Sequence, residues 1–112
     1  MKVDEIVCLI EGKVLCQGEQ NEIEYGFSSD LMSDVLTLSL DNVVLITGLV
    51  NMQTIRTAEM ATVHTIILAR GKKATPIMID AAKEIGITLI ETSYSLFKIA
   101  SVLSQNGIKP CY

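Results

Sequence analysis

Three apolar, largely β-branched runs, Val43-Val44-Leu45-Ile46, His64–Ala69 and Ile87–Ile90, alternate with stretches whose apolar residues recur every three or four positions. That alternation constrains the fold more than any other feature. A short run with no polar interruption suits a strand covered on both faces, whereas the spacing between the runs suits amphipathic helices. Asn51 can cap a helix reaching about Ala61, with Ile55, Ala58 and Thr62 inward. Thr75 caps a second helix with Pro76 at its first position, where a missing N–H costs nothing; Ile77, Ala81 and Ile85 form its stripe and Gly86 ends it. Thr92 or Ser93 caps a third, with Leu96, Phe97, Ala100 and Leu103 inward and Asn106-Gly107 at its end. Strand and helix in strict alternation predict an α/β fold, a layered parallel or mostly parallel sheet flanked by helices.

The first forty residues depart from this rhythm. Val3, Ile6, Val7 and Ile10 have helical spacing and Gly12 follows as a stop. Lys13–Cys16 reads as a brief strand, Gly18-Glu19-Gln20-Asn21 as a turn and Glu22–Phe27 as a second extended stretch. Ser28-Ser29-Asp30 then starts a helix over Leu31–Leu38. This part is expected to add a helix and a short hairpin or edge strands.

With 112 residues the chain has the length of one domain, residues 1–112. Hydrophobic residues are 49% against 20% charged, so burial can offset the ordering entropy without disulfides or metal. With 4% aromatic residues and no Trp, the core must come from Ile, Leu, Val, Ala and Met. So apolar a composition further predicts surface buried against a second copy, a homodimer. The apolar stretch Val43–Val50 is far shorter than the roughly 20 residues of a membrane span, which argues against a membrane role. The start, Met1-Lys2-Val3-Asp4-Glu5, lacks the apolar core of a signal peptide, so a cytoplasmic location is expected. Net charge is −4 and only Arg70, Lys72 and Lys73 cluster among the basic residues, which excludes the basic stripe of a nucleic-acid binder. Cys8, Cys16 and Cys111 form no Cys-x-x-Cys pair and the single histidine, His64, lies far from them, so no zinc site is implied. The thiols are expected to be buried and structural, with Cys111 in a frayed tail.

In open α/β sheets ligands bind beyond the carboxyl ends of the strands. Those ends read Ser28-Ser29-Asp30, Thr47-Gly48, Arg70-Gly71 and Thr92-Ser93, each leading toward a helix start with free N–H groups suited to an anion. With Asn51 they give the candidate ligand-binding set Ser28, Ser29, Asp30, Thr47, Gly48, Asn51, Arg70, Gly71 and Thr92. The same residue types also serve as plain helix caps, and both readings stand. No Gly-x-Gly-x-x-Gly or Gly-x-x-x-x-Gly-Lys-Ser/Thr motif occurs, and Gly71-Lys72-Lys73 reads as a solvated turn rather than a phosphate clamp. His64 has no nucleophile beside it, and Asp30 with Asp34 at the start of a helix reads as a pair of dipole partners rather than a cation site. No catalytic residue, metal or cofactor is implied.

These stretches resemble the DRTGG family. The resemblance rests on Tyr25–Leu36 (YGFSSDLMSDVL), Ile46–Asn51 (ITGLVN), Ile55–Met60 (IRTAEM), Ile67–Lys73 (ILARGKK) and Ala81–Ile87 (AAKEIGI). Such domains occur alone or beside CBS domains in some inorganic pyrophosphatases; their fold is similar to the N-terminal domain of HPr kinase and, more distantly, of Mur ligases. The resemblance implies a regulatory, non-catalytic role and a tendency to dimerise. The analogy to Mur ligases would put a uridine nucleotide near Ser28-Ser29-Asp30 and Thr47. The chain departs from the family where an Asp-Arg pair and a Thr-Gly-Gly are expected, reading Gly48-Leu49-Val50-Asn51 and Ala69-Arg70-Gly71. The function expected is a non-enzymatic regulatory or ligand-sensing module that binds a nucleotide or other small anionic ligand. A pure protein–protein interaction adaptor, with a protein partner and no ligand, is the alternative.

Overall fold

The computed structural model describes residues 1–112 as a six-stranded sheet with helices on both faces. Along the chain the elements are α1 (Val3–Leu9), β1 (Lys13–Cys16), β2 (Tyr25–Ser28), α2 (Met32–Val35), β3 (Val43–Thr47), α3 (Met52–Met60), β4 (Thr65–Leu68), α4 (Pro76–Ile85), β5 (Thr88–Glu91), α5 (Leu96–Gln105) and β6 (Lys109–Pro110). The strand order is β1-β5-β4-β3-β2-β6, with β1 antiparallel to β5 and every other pair parallel. The expected α/β architecture with a mostly parallel sheet is therefore what forms. No helix is long and apolar enough to cross a membrane.

The alternation of side chains along a strand divides the core in two. Leu45, Ile66, Leu68 and Leu89 face α2, α3 and α4 and pack with Met32, Val35, Ile55, Ala58, Met78 and Ala82. Val44, Ile46, Ile67 and Ile90 face α1 and α5 and pack with Val3, Ile6, Ile99 and Leu103. Every residue of β3, β4 and β5 is buried, which is why these runs carry no polar alternation. Asn51 and Thr75 cap as expected, accepting from the amides of Thr54 at 3.2 Å and Met78 at 3.3 Å. Gly86 closes α4 at φ 90°, a conformation that glycine adopts without strain.

Several expectations are corrected. Of the expected hairpin or edge strands, the hairpin does not form: β1 is an edge strand beside β5, while β2 lies inside the sheet between β3 and β6. The tail is not frayed, because Lys109 and Pro110 pair with Tyr25 and Gly26, and Tyr112 packs edge-on against Phe27 with ring centroids 6.0 Å apart. α2 is a single turn begun at Leu31, and Asp30 lies outside it, so Asp30 and Asp34 share no helical face. α5 is capped by Ser95, whose hydroxyl accepts from the Lys98 amide at 3.1 Å, and not by Thr92 or Ser93. Phe97 and Ile77 point outward and Ile99 and Met78 take the inward places; Thr62 is exposed and Thr57 buried. Cys8 is exposed rather than buried.

Candidate functional site: a cleft at the strand ends

The helices after β4 and β5 lie on opposite faces of the sheet, so the chain leaves these neighbouring strands in opposite directions. Such a divergence opens a crevice beyond the strand ends. Here the two loops are joined across it: the Arg70 amide donates to the Tyr94 carbonyl and the Gly71 amide to the Thr92 carbonyl, both at 2.8 Å. The pairing leaves a hollow on either side. The larger, about 450 Å³, is lined by Asp30, Gly48, Ala69, Arg70, Lys72, Ser95, Leu96 and Phe97. That volume lies within the roughly 300–1,000 Å³ typical of small-molecule sites.

Each wall of this cleft has a local cause. Asp30 follows β2 and turns back over β3, where its Oδ1 accepts from the Thr47 hydroxyl at 2.9 Å and from the Gly48 amide at 2.7 Å. Arg70 follows β4 with φ 58°, one of four non-glycine residues with positive φ, and its amide bond to Tyr94 holds that turn in place. Ser95, Leu96 and Phe97 are the cap and first two residues of α5; the amides of Leu96 and Phe97 have no acceptor within the chain. The molecule's two ion pairs are Met1–Glu22 and Lys73–Glu91, so Arg70 and Lys72 keep unpaired charges beside that helix start. Two free cations, free amides and one carboxylate suit an anionic ligand that also carries hydrogen-bond donors.

The second hollow, about 230 Å³, lies toward β1 and is lined by Glu11, Lys13, Gly71, Lys73, Glu91, Thr92 and Ser93. Its charges are largely matched. The buried Glu91 carboxylate accepts from Lys73 Nζ at 3.1 Å, and Glu11 accepts from the Tyr94 hydroxyl at 2.7 Å. No group of three His, Cys, Asp or Glu side chains is placed to hold a metal ion.

The nine residues singled out from the sequence thus have different fates. Asp30, Gly48 and Arg70 line the cleft, and Thr47 stands buried behind Asp30. Gly71 and Thr92 belong to the neighbouring hollow, where Thr92 is buried and donates to the Ile10 carbonyl at 2.6 Å. Asn51 is the cap of α3, and the Ser29 hydroxyl accepts from the Leu31 amide at 2.9 Å. Ser28 lines a separate cavity of about 190 Å³ between β2, β6 and α5. The set missed Lys72, Ser95, Leu96 and Phe97. A signal for Phe97 existed: on a helix whose inward residues are Ile99 and Leu103, position 97 lies ~160° from Ile99.

No family model matches the sequence, and no curated protein matches it. A solved structure similar to it is that of the CBS and DRTGG domains of the regulatory region of Clostridium perfringens pyrophosphatase, complexed with its activator diadenosine tetraphosphate. The TM-score is 0.80 at 15% sequence identity, over 96% of this chain and 47% of that one. The likeness is one of fold: nearly the whole of this chain follows about half the length of that regulatory region.

Proposed function

We propose that this chain is a DRTGG-like regulatory module that performs no chemistry and senses a small phosphorylated ligand at the carboxyl ends of its strands. The observation that carries this reading is the cleft in which Arg70, Lys72 and the free amides of α5 converge with neither cation held in an ion pair. The fold shared with a regulatory region supports it. Within the cleft Asp30 is the one carboxylate and already serves Thr47 and Gly48, the Ser95 hydroxyl caps α5, and no base lies beside either. That arrangement binds and does not activate.

A ligand regulates by favouring one of two states, and a dimer that changes its packing is the simplest device of that kind. We propose a homodimer, for which the exposed Leu31, Leu36, Met60 and Ile77 supply apolar surface. Sedimentation equilibrium at micromolar concentration should return twice the monomer mass.

The test of the reading is a thermal-shift screen with phosphate, sugar phosphates and nucleotides on the chain and on Arg70→Asn, since asparagine tolerates the positive φ of that site. A ligand at a hundredfold excess over Kd stabilises by about 2.7 kcal/mol, and the shift should vanish in the variant. A blank screen would sink the reading in favour of a protein-interaction adaptor.

A further inference from the structure

Phe97 is 85% exposed, more than any other large apolar side chain of the molecule. Packing does not require it there: Ile99 and Leu103 supply the buried face of α5, with Leu96 and Val102 at its margin. It stands on the first turn of the helix, in the wall of the same cleft as Arg70 and Lys72. Across the cleft Asp30 uses Oδ1 for Thr47 and Gly48, and its Oδ2 has no partner within the chain. An aromatic face, two unpaired cations and a free carboxylate oxygen therefore border one hollow of about 450 Å³.

These three elements discriminate between phosphorylated ligands. A sugar phosphate or phosphorylated acid would engage the cations and leave the ring bare. A ligand with a planar base would cover the ring by stacking, set its phosphate against the guanidinium, and offer sugar hydroxyls to the carboxylate. We infer that the ligand of this cleft is a nucleoside phosphate, its base stacked on Phe97, its phosphate held by Arg70 and Lys72, and a ribose hydroxyl donated to Asp30. The inference rests on the reading of the cleft as a phosphate site and narrows it to one ligand class. With a net charge of −4 and two cations at this place, the fit is to a single nucleotide rather than a polynucleotide track.

The test is calorimetric titration of adenosine monophosphate, uridine monophosphate, ribose 5-phosphate and inorganic phosphate into the chain, Phe97→Ala, Phe97→Tyr and Arg70→Asn. The nucleoside monophosphates should bind more tightly than ribose 5-phosphate. Phe97→Ala should weaken them about tenfold to a hundredfold while leaving ribose 5-phosphate unchanged, and Phe97→Tyr should restore them. Since the ring is exposed, its removal leaves the core intact. Equal binding of ribose 5-phosphate and the nucleotides, or nucleotide binding indifferent to Phe97→Ala, overturns the inference; loss of ribose 5-phosphate in Arg70→Asn would then still uphold the phosphate site. No binding by any of the four compounds overturns both.

Discussion

Asp30 and Thr47, on neighbouring strand ends, are locked together: the Thr47 hydroxyl is fully buried and donates to Asp30 Oδ1 at 2.9 Å, beside the Gly48 amide at 2.7 Å. The Thr47 oxygen also accepts from the Leu49 amide at 3.1 Å, so one carboxylate organises the whole turn after β3. A cleft wall built this way is rigid because each of its donors has one acceptor.

Removing that acceptor orphans a buried hydroxyl and an amide at once. Asp30→Ala is expected to destabilise the chain by about 1–3 kcal/mol, and Asp30→Asn, which retains an acceptor oxygen, by less. Urea unfolding of the two variants checks this. Equal midpoints for Asp30→Ala and the unaltered chain would mean that the turn holds without it.

Much of this architecture was legible because burial and capping leave local marks. β3, β4 and β5 are buried throughout and so read as apolar runs, and Asn51, Thr75 and Gly86 mark helix ends by their own chemistry. What was not legible depends on distant partners. Thr92 looks like a cap, yet its hydroxyl goes to Ile10, and the cap role falls to Ser95. Lys109 and Pro110 form a strand only because the edge of β2 is there to receive them. Of the residues that line the cleft, Asp30, Gly48 and Arg70 are legible through their places at strand ends. Phe97 was lost to the assumption that an aromatic residue in an apolar helix points inward.

Two glycines are required for different reasons. A Cβ on Gly18 would lie 1.9 Å from the Gly86 carbonyl oxygen, a backbone atom that cannot rotate away. At Gly86 the space is open, but φ is +90°. Gly18→Ala must shift the backbone where the turn after β1 meets the end of α4, and should cost about 1–3 kcal/mol. Gly86→Ala should cost about 1 kcal/mol through backbone strain alone. Amide exchange separates the mechanisms: Gly18→Ala should raise exchange at both elements, Gly86→Ala at the end of α4 only. The opposite pattern would reverse the assignment.

The three thiols should react in sequence. Cys8 is exposed, whereas burial pushes both Cys16 and Cys111 above the ordinary thiol value, and Cys16 also donates to the Ile87 carbonyl at 3.3 Å. Since the thiolate is the reactive form, a disulfide reagent at neutral pH should modify Cys8 first, Cys111 more slowly and Cys16 only as the chain unfolds. Mass spectrometry of timed samples would show the order, and early labelling of Cys16 would contradict the packing of β1 against β5.

Tyr94 should titrate late. Its hydroxyl donates to Glu11 Oε2 at 2.7 Å, and that hydrogen bond, aided by desolvation and the carboxylate charge, raises the phenol above its ordinary value; Lys98 Nζ lies 3.9 Å from the ring centroid. The protonated phenol is thus favoured in the folded chain over the unfolded one. Its contribution to stability is fully present below the ordinary tyrosine value of about 10 and is lost as pH rises through the raised value. The same bond ties the turn after α1 to the loop that joins Arg70 across the crevice, so its loss at high pH should loosen the cleft. Glu11→Gln removes the charge and should bring the Tyr94 titration back toward the ordinary tyrosine value, followed by ultraviolet absorbance of phenolate. If the curves of the chain and of Glu11→Gln superimpose, the Glu11–Tyr94 bond does not persist in solution, and the loop it braces must be held by the Arg70 and Gly71 amides and by the Thr92 hydroxyl on Ile10.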